Sequence, residues 1–347
     1  MNRRPTLGLA LLAVLLLAVL LPALSTATSV RHDGRIAFAR FRFTDSPLRR
    51  EIWVASTDGS GAHRLVRAPA NTLDAYPDWS PDGSHLLFMR CPPVKGRACE
   101  GRQTIWSVNA DGSRLHQLSR ACRSANPAVC PNDGGGVYSP NGRRIAVLRY
   151  VGVPTITVTD DNLRHGHEIF PFGDHKGAPD INAVAWSPDG KSLAFSVHNA
   201  TSKKYQPFDG RAIFVIDTNG SHLRRITPWS LKAGADGLAW SSQTDRILFS
   251  TVTYEAGDPG PSYGDIYTVK PNGGGLLRLT HLPAGAAVQL GSYAPNGKQI
   301  VFSTNSGARP NGGGQTYPDV FVMNADGSHI HAVTHTKNWE GTAAWGK

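Results

Sequence analysis

The chain has 347 residues, with 36 Lys and Arg against 26 Asp and Glu, a formal net charge of +10 and four cysteines. The basic surplus favours anionic partners, but no basic run with interleaved aromatics stands out, which argues against nucleic acid. The one long apolar run, Leu7 to Leu21, is shorter than the roughly 20 residues of a membrane-spanning helix.

That run reads as part of a leader. Arg3 and Arg4 precede it, Pro22 ends it and Ser25-Thr26-Ala27 offers small residues for cleavage, the layout of a signal peptide over residues 1–27. No Cys follows directly, so no lipid anchor is expected. Residues 28–347 then keep 34 basic and 26 acidic side chains, and are expected to form a single domain in the periplasm or outside the cell. Export places the cysteines in an oxidising compartment, where an even number reads as disulfides. Of the three possible pairings, Cys91–Cys99 with Cys122–Cys130 is favoured because each bridge closes one loop. The seven-residue gaps are too long for the usual zinc-finger spacing.

From residue 33 onward one pattern recurs. A strand ends in an aromatic, a Ser-Pro-Asp-Gly turn follows, and an alternating strand leaves. The copies are Trp79 to Gly83, Tyr138 to Gly142, Trp186 to Gly190 and Tyr293 to Gly297, with a degraded form at Trp240-Ser241-Ser242. A sixth copy is split between Trp345 and Asp33-Gly34-Arg35-Ile36-Ala37-Phe38. Asp-Gly flanked by apolar alternation reads as a type I′ hairpin turn. The aromatics are spaced by 48 to 59 residues, a period that fits four strands and two tight turns. The second turn is nearly as regular: Asp58-Gly59, Asp111-Gly112, Asn219-Gly220, Asn272-Gly273 and Asp326-Gly327, with Asp161-Asn162 in its place in the third unit.

The expected fold is therefore all-β: a six-bladed β-propeller with four antiparallel strands per blade. Packed radially, such sheets bury both faces against their neighbours. The strand at Thr342 to Trp345 should pair with Arg35 to Arg40 inside one blade, closing the ring and hiding its edges. These motifs resemble the TolB-type propeller repeat, W-S-P-D-G followed by an I-A-F-like strand. Trp79 to Phe88, Trp186 to Phe195 and Tyr293 to Phe302 match it well, and the resemblance covers the chain after the signal. It implies an exported binding platform. No counterpart of the additional N-terminal α/β domain of TolB, or of the catalytic α/β domain of propeller-bearing peptidases, is expected.

A site is expected on the rim that carries the loops between second and third strands and the links between units. Four or five residues before each aromatic stand Asp74, Asp133, Asn182, Asp236, Gln289 and Glu340. Such acceptors around a channel mouth could hold Ca²⁺, ammonium groups or sugar hydroxyls; no other cofactor is expected. The plainer role is to cap the strand by bonding local backbone N–H groups. Loop aromatics, Tyr205, Phe208, Trp229, Tyr254, Tyr263, Tyr317 and Trp339, suit stacking or recognition.

Catalytic signals are weak. Gly260-Pro261-Ser262-Tyr263-Gly264 fits G-x-S-x-G, but its chemistry needs a strand-to-helix turn and no helix is expected there. His63, His116 and His331 each stand five residues after the Asp of a second turn, a repeated solvent-facing slot rather than a zinc site. No H-E-x-x-H, P-loop or dinucleotide fingerprint occurs. The expected function is a monomeric, non-catalytic platform for an envelope protein or anionic polysaccharide. The alternative is a carbohydrate-active hydrolase or lyase using two mouth acids. A glycosidase pair would stand about 5–5.5 Å or 6.5–9.5 Å apart.

Overall fold

The turn chemistry sets the strand boundaries. In Ser80-Pro81-Asp82-Gly83, Gly83 N–H donates to Ser80 O, His85 N–H to the Ser80 hydroxyl, and that hydroxyl to Asp82 Oδ1. The same bonds recur around Ser139 and Ser187. Only the glycine takes positive φ, +70° at Gly83 and +68° at Gly190. The turn is thus built on a type I bend rather than the expected type I′, because proline at the first central position holds φ negative.

The computed structural model describes residues 34–42, 44–93, 102–122, 124, 129–169, 171–172, 179–199, 210–253, 262–283, 286, 288–305 and 317–347. The side chains of 235–236, 252–253 and 262–263 lie outside that description, as do the expected signal and Cys99. The strands follow the repeat. First come β1 (Arg35–Phe41), β2 (Arg49–Ser56) and β3 (His63–Val66). Next are β4 (Thr72–Trp79), β5 (His85–Cys91), β6 (Thr104–Asn109) and β7 (His116–Gln117). Then follow β8 (Asn132–Tyr138), β9 (Arg144–Val151), β10 (Val153–Asp160) and β11 (Gly166–Ile169). The fourth set is β12 (Asp180–Trp186), β13 (Ser192–Asn199), β14 (Gly210–Asp217) and β15 (Arg224–Arg225). The fifth is β16 (Ala233–Trp240), β17 (Ile247–Thr253), β18 (Ser262–Val269) and β19 (Leu277–Arg278). Last are β20 (Val288–Tyr293), β21 (Gln299–Thr304), β22 (Asp319–Asn324), β23 (His331–Ala332) and β24 (Trp339–Gly346).

The sets from β8, β12, β16 and β20 each form a four-stranded sheet. The remaining strands share one sheet of eight, which differs from the expected four per sheet. It consists of the antiparallel runs β24-β1-β2-β3 and β4-β5-β6-β7, joined where β2 runs parallel to β4 at Arg49–Thr72 and Arg50–Leu73. Arg50 Nε also donates to Asp74 O at 3.1 Å across that seam. The last strand pairs with the first, Ile36 opposite Trp345 and Ala37 opposite Ala344.

Each sheet is apolar on both faces, and six hydrophobic clusters fill the spaces between consecutive sets. One cluster packs Val301, Val320 and Val322 of β21 and β22 against Ile36, Phe38 and Trp345. Phe38, Phe88, Phe195, Phe249 and Phe302 occupy the same repeat position and are all fully buried. Truncating one such ring to Ala typically costs about 3–5 kcal/mol. The Cys122–Cys130 disulfide is present with Cα atoms 5.6 Å apart. Cys91 is disulfide-bonded as well.

Candidate binding site

The leading strand of each set, β4, β8, β12, β16, β20 and β24, breaks register midway along its pairing. Such bulges bend a strand and re-aim its side chains. The six bent segments line one cavity of about 490 Å³, with Tyr76, Gly135, Asn182, Gly237, Gly291 and Thr342 at comparable depth in the repeat. Tyr76 and Thr342 sit at φ 53° and 49°, costly for an aromatic and a β-branched residue. The Tyr76 N–H donates to Thr342 Oγ1 at 3.3 Å. Strained backbone of this kind concentrates at binding and catalytic sites.

Two polar side chains strap neighbouring leading strands together. Asp78 Oδ2 accepts from Tyr138 N–H at 2.8 Å, and Ser292 Oγ accepts from Trp345 N–H at 2.8 Å. Asp78 lines the cavity, and burial pushes its carboxyl up to about 7 against the opposing pull of the Tyr138 bond. Arg50 reaches the same cavity and lies 5.3 Å from the Trp339 ring. Burial lowers the guanidinium from its ordinary value, while Tyr76 and Asp74 act to raise it.

The six expected mouth residues divide by register. Asp74, Asp133 and Glu340, each five residues before its aromatic, stand directly across the ladder from Arg90, Arg149 and Arg40. Arg90 grips Asp74 with two bonds of 2.7 and 2.6 Å. Arg149 Nε and the Ser119 hydroxyl bond Asp133 at 2.8 and 2.6 Å. Arg40 Nε and the Thr336 hydroxyl bond Glu340 Oε1, and Glu340 Oε2 is buried. Burial pushes the Asp74 and Glu340 carboxyls upward, and their arginines pull them back. Arg40 and Arg90 are also held from the other side, 4.0 Å from the Trp53 ring and 4.5 Å from the Trp106 ring.

The other three lie four residues before their aromatics. Asn182 lines the cavity. Gln289 Oε1 is buried without a partner among the described residues and packs against Gly341, where an added Cβ would come within 2.1 Å of it. Asp236 belongs to β16, and its side chain lies outside the description. Among the described residues no group of three or more His, Cys, Asp or Glu could hold a metal ion.

The chain matches no protein-family model and no curated protein. Solved structures do match. TolB from Acinetobacter baumannii aligns over 90% of this chain and 66% of its own length, at 18% identity and a TM-score of 0.61. A putative TolB from Agrobacterium tumefaciens aligns over 89% and 91%, at 18% identity and a TM-score of 0.57. The chain has a TolB-like β-propeller fold. It spans just under two thirds of the Acinetobacter protein's length, and at 18% identity the likeness is one of fold.

The other motifs singled out in the sequence lie elsewhere on the propeller. Ser262 opens a strand, β18, not the start of a helix. His63, His116 and His331 are exposed, and each ring bonds the carbonyl two residues before it, at 2.8, 2.7 and 3.1 Å. Trp229 packs on Phe214 with centroids 5.8 Å apart, and Trp339 joins the core beneath Arg50. Tyr205, Phe208 and Tyr254, and the Tyr263 side chain, lie outside the description. The residue that repeat spacing missed is Asp78. It precedes Trp79 at a position filled elsewhere by Val137, Ala185, Ala239, Ser292 and Ala344, so a lone carboxylate among small and apolar side chains was its signal.

Proposed function

We propose that this propeller is an exported, non-catalytic binding platform for a protein or polysaccharide of the cell envelope. Its six blades close into a ring through β24 and β1, and the ligand engages the cavity between the leading strands. The reading rests chiefly on one contrast. Asp74, Asp133 and Glu340 are bound to arginines inside the blades, whereas Asn182 and Asp78 face a cavity of mixed polar and apolar lining with strained backbone at Tyr76 and Thr342. Acids engaged by arginines in this way are not free to take a proton from a substrate, which weighs against the hydrolase or lyase alternative as built on those mouth acids. The six clusters linking successive sets support the ring, and the disulfides and signal-like leader support export.

The test is to plug the cavity. Gly135 lines it, and a Cβ added there meets nothing within 4 Å, so Gly135→Trp should fill the space without straining the blade. Mature wild-type protein is expected to capture an envelope ligand that Gly135→Trp retains about tenfold less well, with unchanged unfolding temperature. Equal capture by both would remove the cavity from the proposal.

A further inference from the structure

Beside the first sheet, four arginines line one hollow of about 380 Å³: Arg42, just after β1; Arg49, at the start of β2; Arg64, in β3; and Arg67, just after it. Asp45 and Glu51 line the same hollow, so cations outnumber anions by two. The internal pairing is thin. Arg64 Nη1 reaches Glu51 Oε2 at 3.4 Å, and no hydrogen bond or ion pair joins Arg42 or Arg67 to another described side chain. Arg49 Nε is buried with no acceptor among the described residues. The contrast with Arg40, Arg90 and Arg149 is sharp, since each of those has its own carboxylate. The hollow holds more donors than acceptors.

We infer that this hollow is an oxyanion-binding site that takes the carboxylate or phosphate groups of an acidic polymer. Guanidinium forks match planar carboxylates and tetrahedral phosphates with paired hydrogen bonds. An oxyanion there would be reached by the exposed guanidinium groups of Arg42, Arg64 and Arg67 and would offset the excess positive charge. The chain's charge distribution agrees: of the 24 arginines after residue 27, 18 lie at or before Arg164, so the half containing the hollow draws anions most strongly. The site is separate from the cavity between the leading strands and stands whether or not that cavity takes a ligand.

The mature protein should be titrated with two probes, alginate for carboxylate and inorganic polyphosphate for phosphate, over a series of salt concentrations. At least one is expected to bind with an affinity that falls steeply with salt through counterion release. Arg42→Gln/Arg67→Gln changes two exposed residues, so the fold should persist. It is expected to weaken binding about tenfold or more and to flatten the salt dependence. Arg143→Gln/Arg225→Gln, two exposed arginines outside the hollow, should change affinity by less than about twofold. Retention of alginate alone assigns carboxylate, and retention of polyphosphate alone assigns phosphate; either upholds the site. Equal weakening by the two double variants, or no binding of either polymer, would overturn it. Gly135→Trp should leave this binding intact, so failure here and failure of the cavity proposal give different results.

Discussion

Among the described residues Asp78 carries a clear pH signature. Its carboxyl ordinarily titrates near 3.8 and is pushed by burial to about 7. Between those values the unfolded chain is ionised while the folded chain keeps the proton. Stability should therefore fall as pH rises through that window and level off above about 7. Asp78→Asn keeps an acceptor for the Tyr138 N–H and removes the charge. It should match wild type near pH 4 and exceed it by about 1 kcal/mol or more at pH 8 in denaturant unfolding; parallel curves would contradict the assignment. The arginine-bound acids behave differently, because their partners are built in. Arg90→Ala strands the Asp74 carboxylate in the core and should cost about 3–5 kcal/mol. Asp74→Leu/Arg90→Met removes both charges and should recover most of that loss. A double variant as unstable as the single one would mean that the pair itself holds the blade together.

At the scale of the strand, the repeat was legible and its bulges were not. The aromatics, the Ser-Pro-Asp-Gly turns and the buried phenylalanines recur in sequence, and each marks a boundary that the strands obey. Mouth acceptors placed four or five residues before an aromatic look equivalent in one dimension. A one-residue change of register sends a side chain to the other face, and every leading strand has a register break. Asp74, Asp133 and Glu340 therefore turn to an arginine, while Asn182 turns to the cavity. Aligning the repeats against one another would have exposed the pairing. The three units with an acid in that slot have Arg40, Arg90 or Arg149 on the next strand, where the others have Val197, Thr251 and Thr304. The turns give a prediction of their own. Gly190 sits at φ +68°, so Gly190→Ala should lose about 1 kcal/mol in thermal unfolding.

For the whole molecule, everything turns on the chain's end meeting its beginning. The leading strands can surround one cavity only if β24 completes the first set, bringing Trp345 opposite Ile36 and its neighbours against β21 and β22. The joint between β2 and β4, which unites two sets in one sheet, was not visible in the sequence, since two parallel backbone pairs leave no mark on side-chain pattern. The split repeat was visible, because Asp33-Gly34 lacks its aromatic and Trp345 lacks its turn. Arg40 and Glu340, 300 positions apart, form the ion pair that spans this junction. A double-mutant cycle with Arg40→Met, Glu340→Leu and the combination measures their coupling directly. A closed junction should give a coupling of about 1 kcal/mol or more, and additivity within about 0.5 kcal/mol would contradict it.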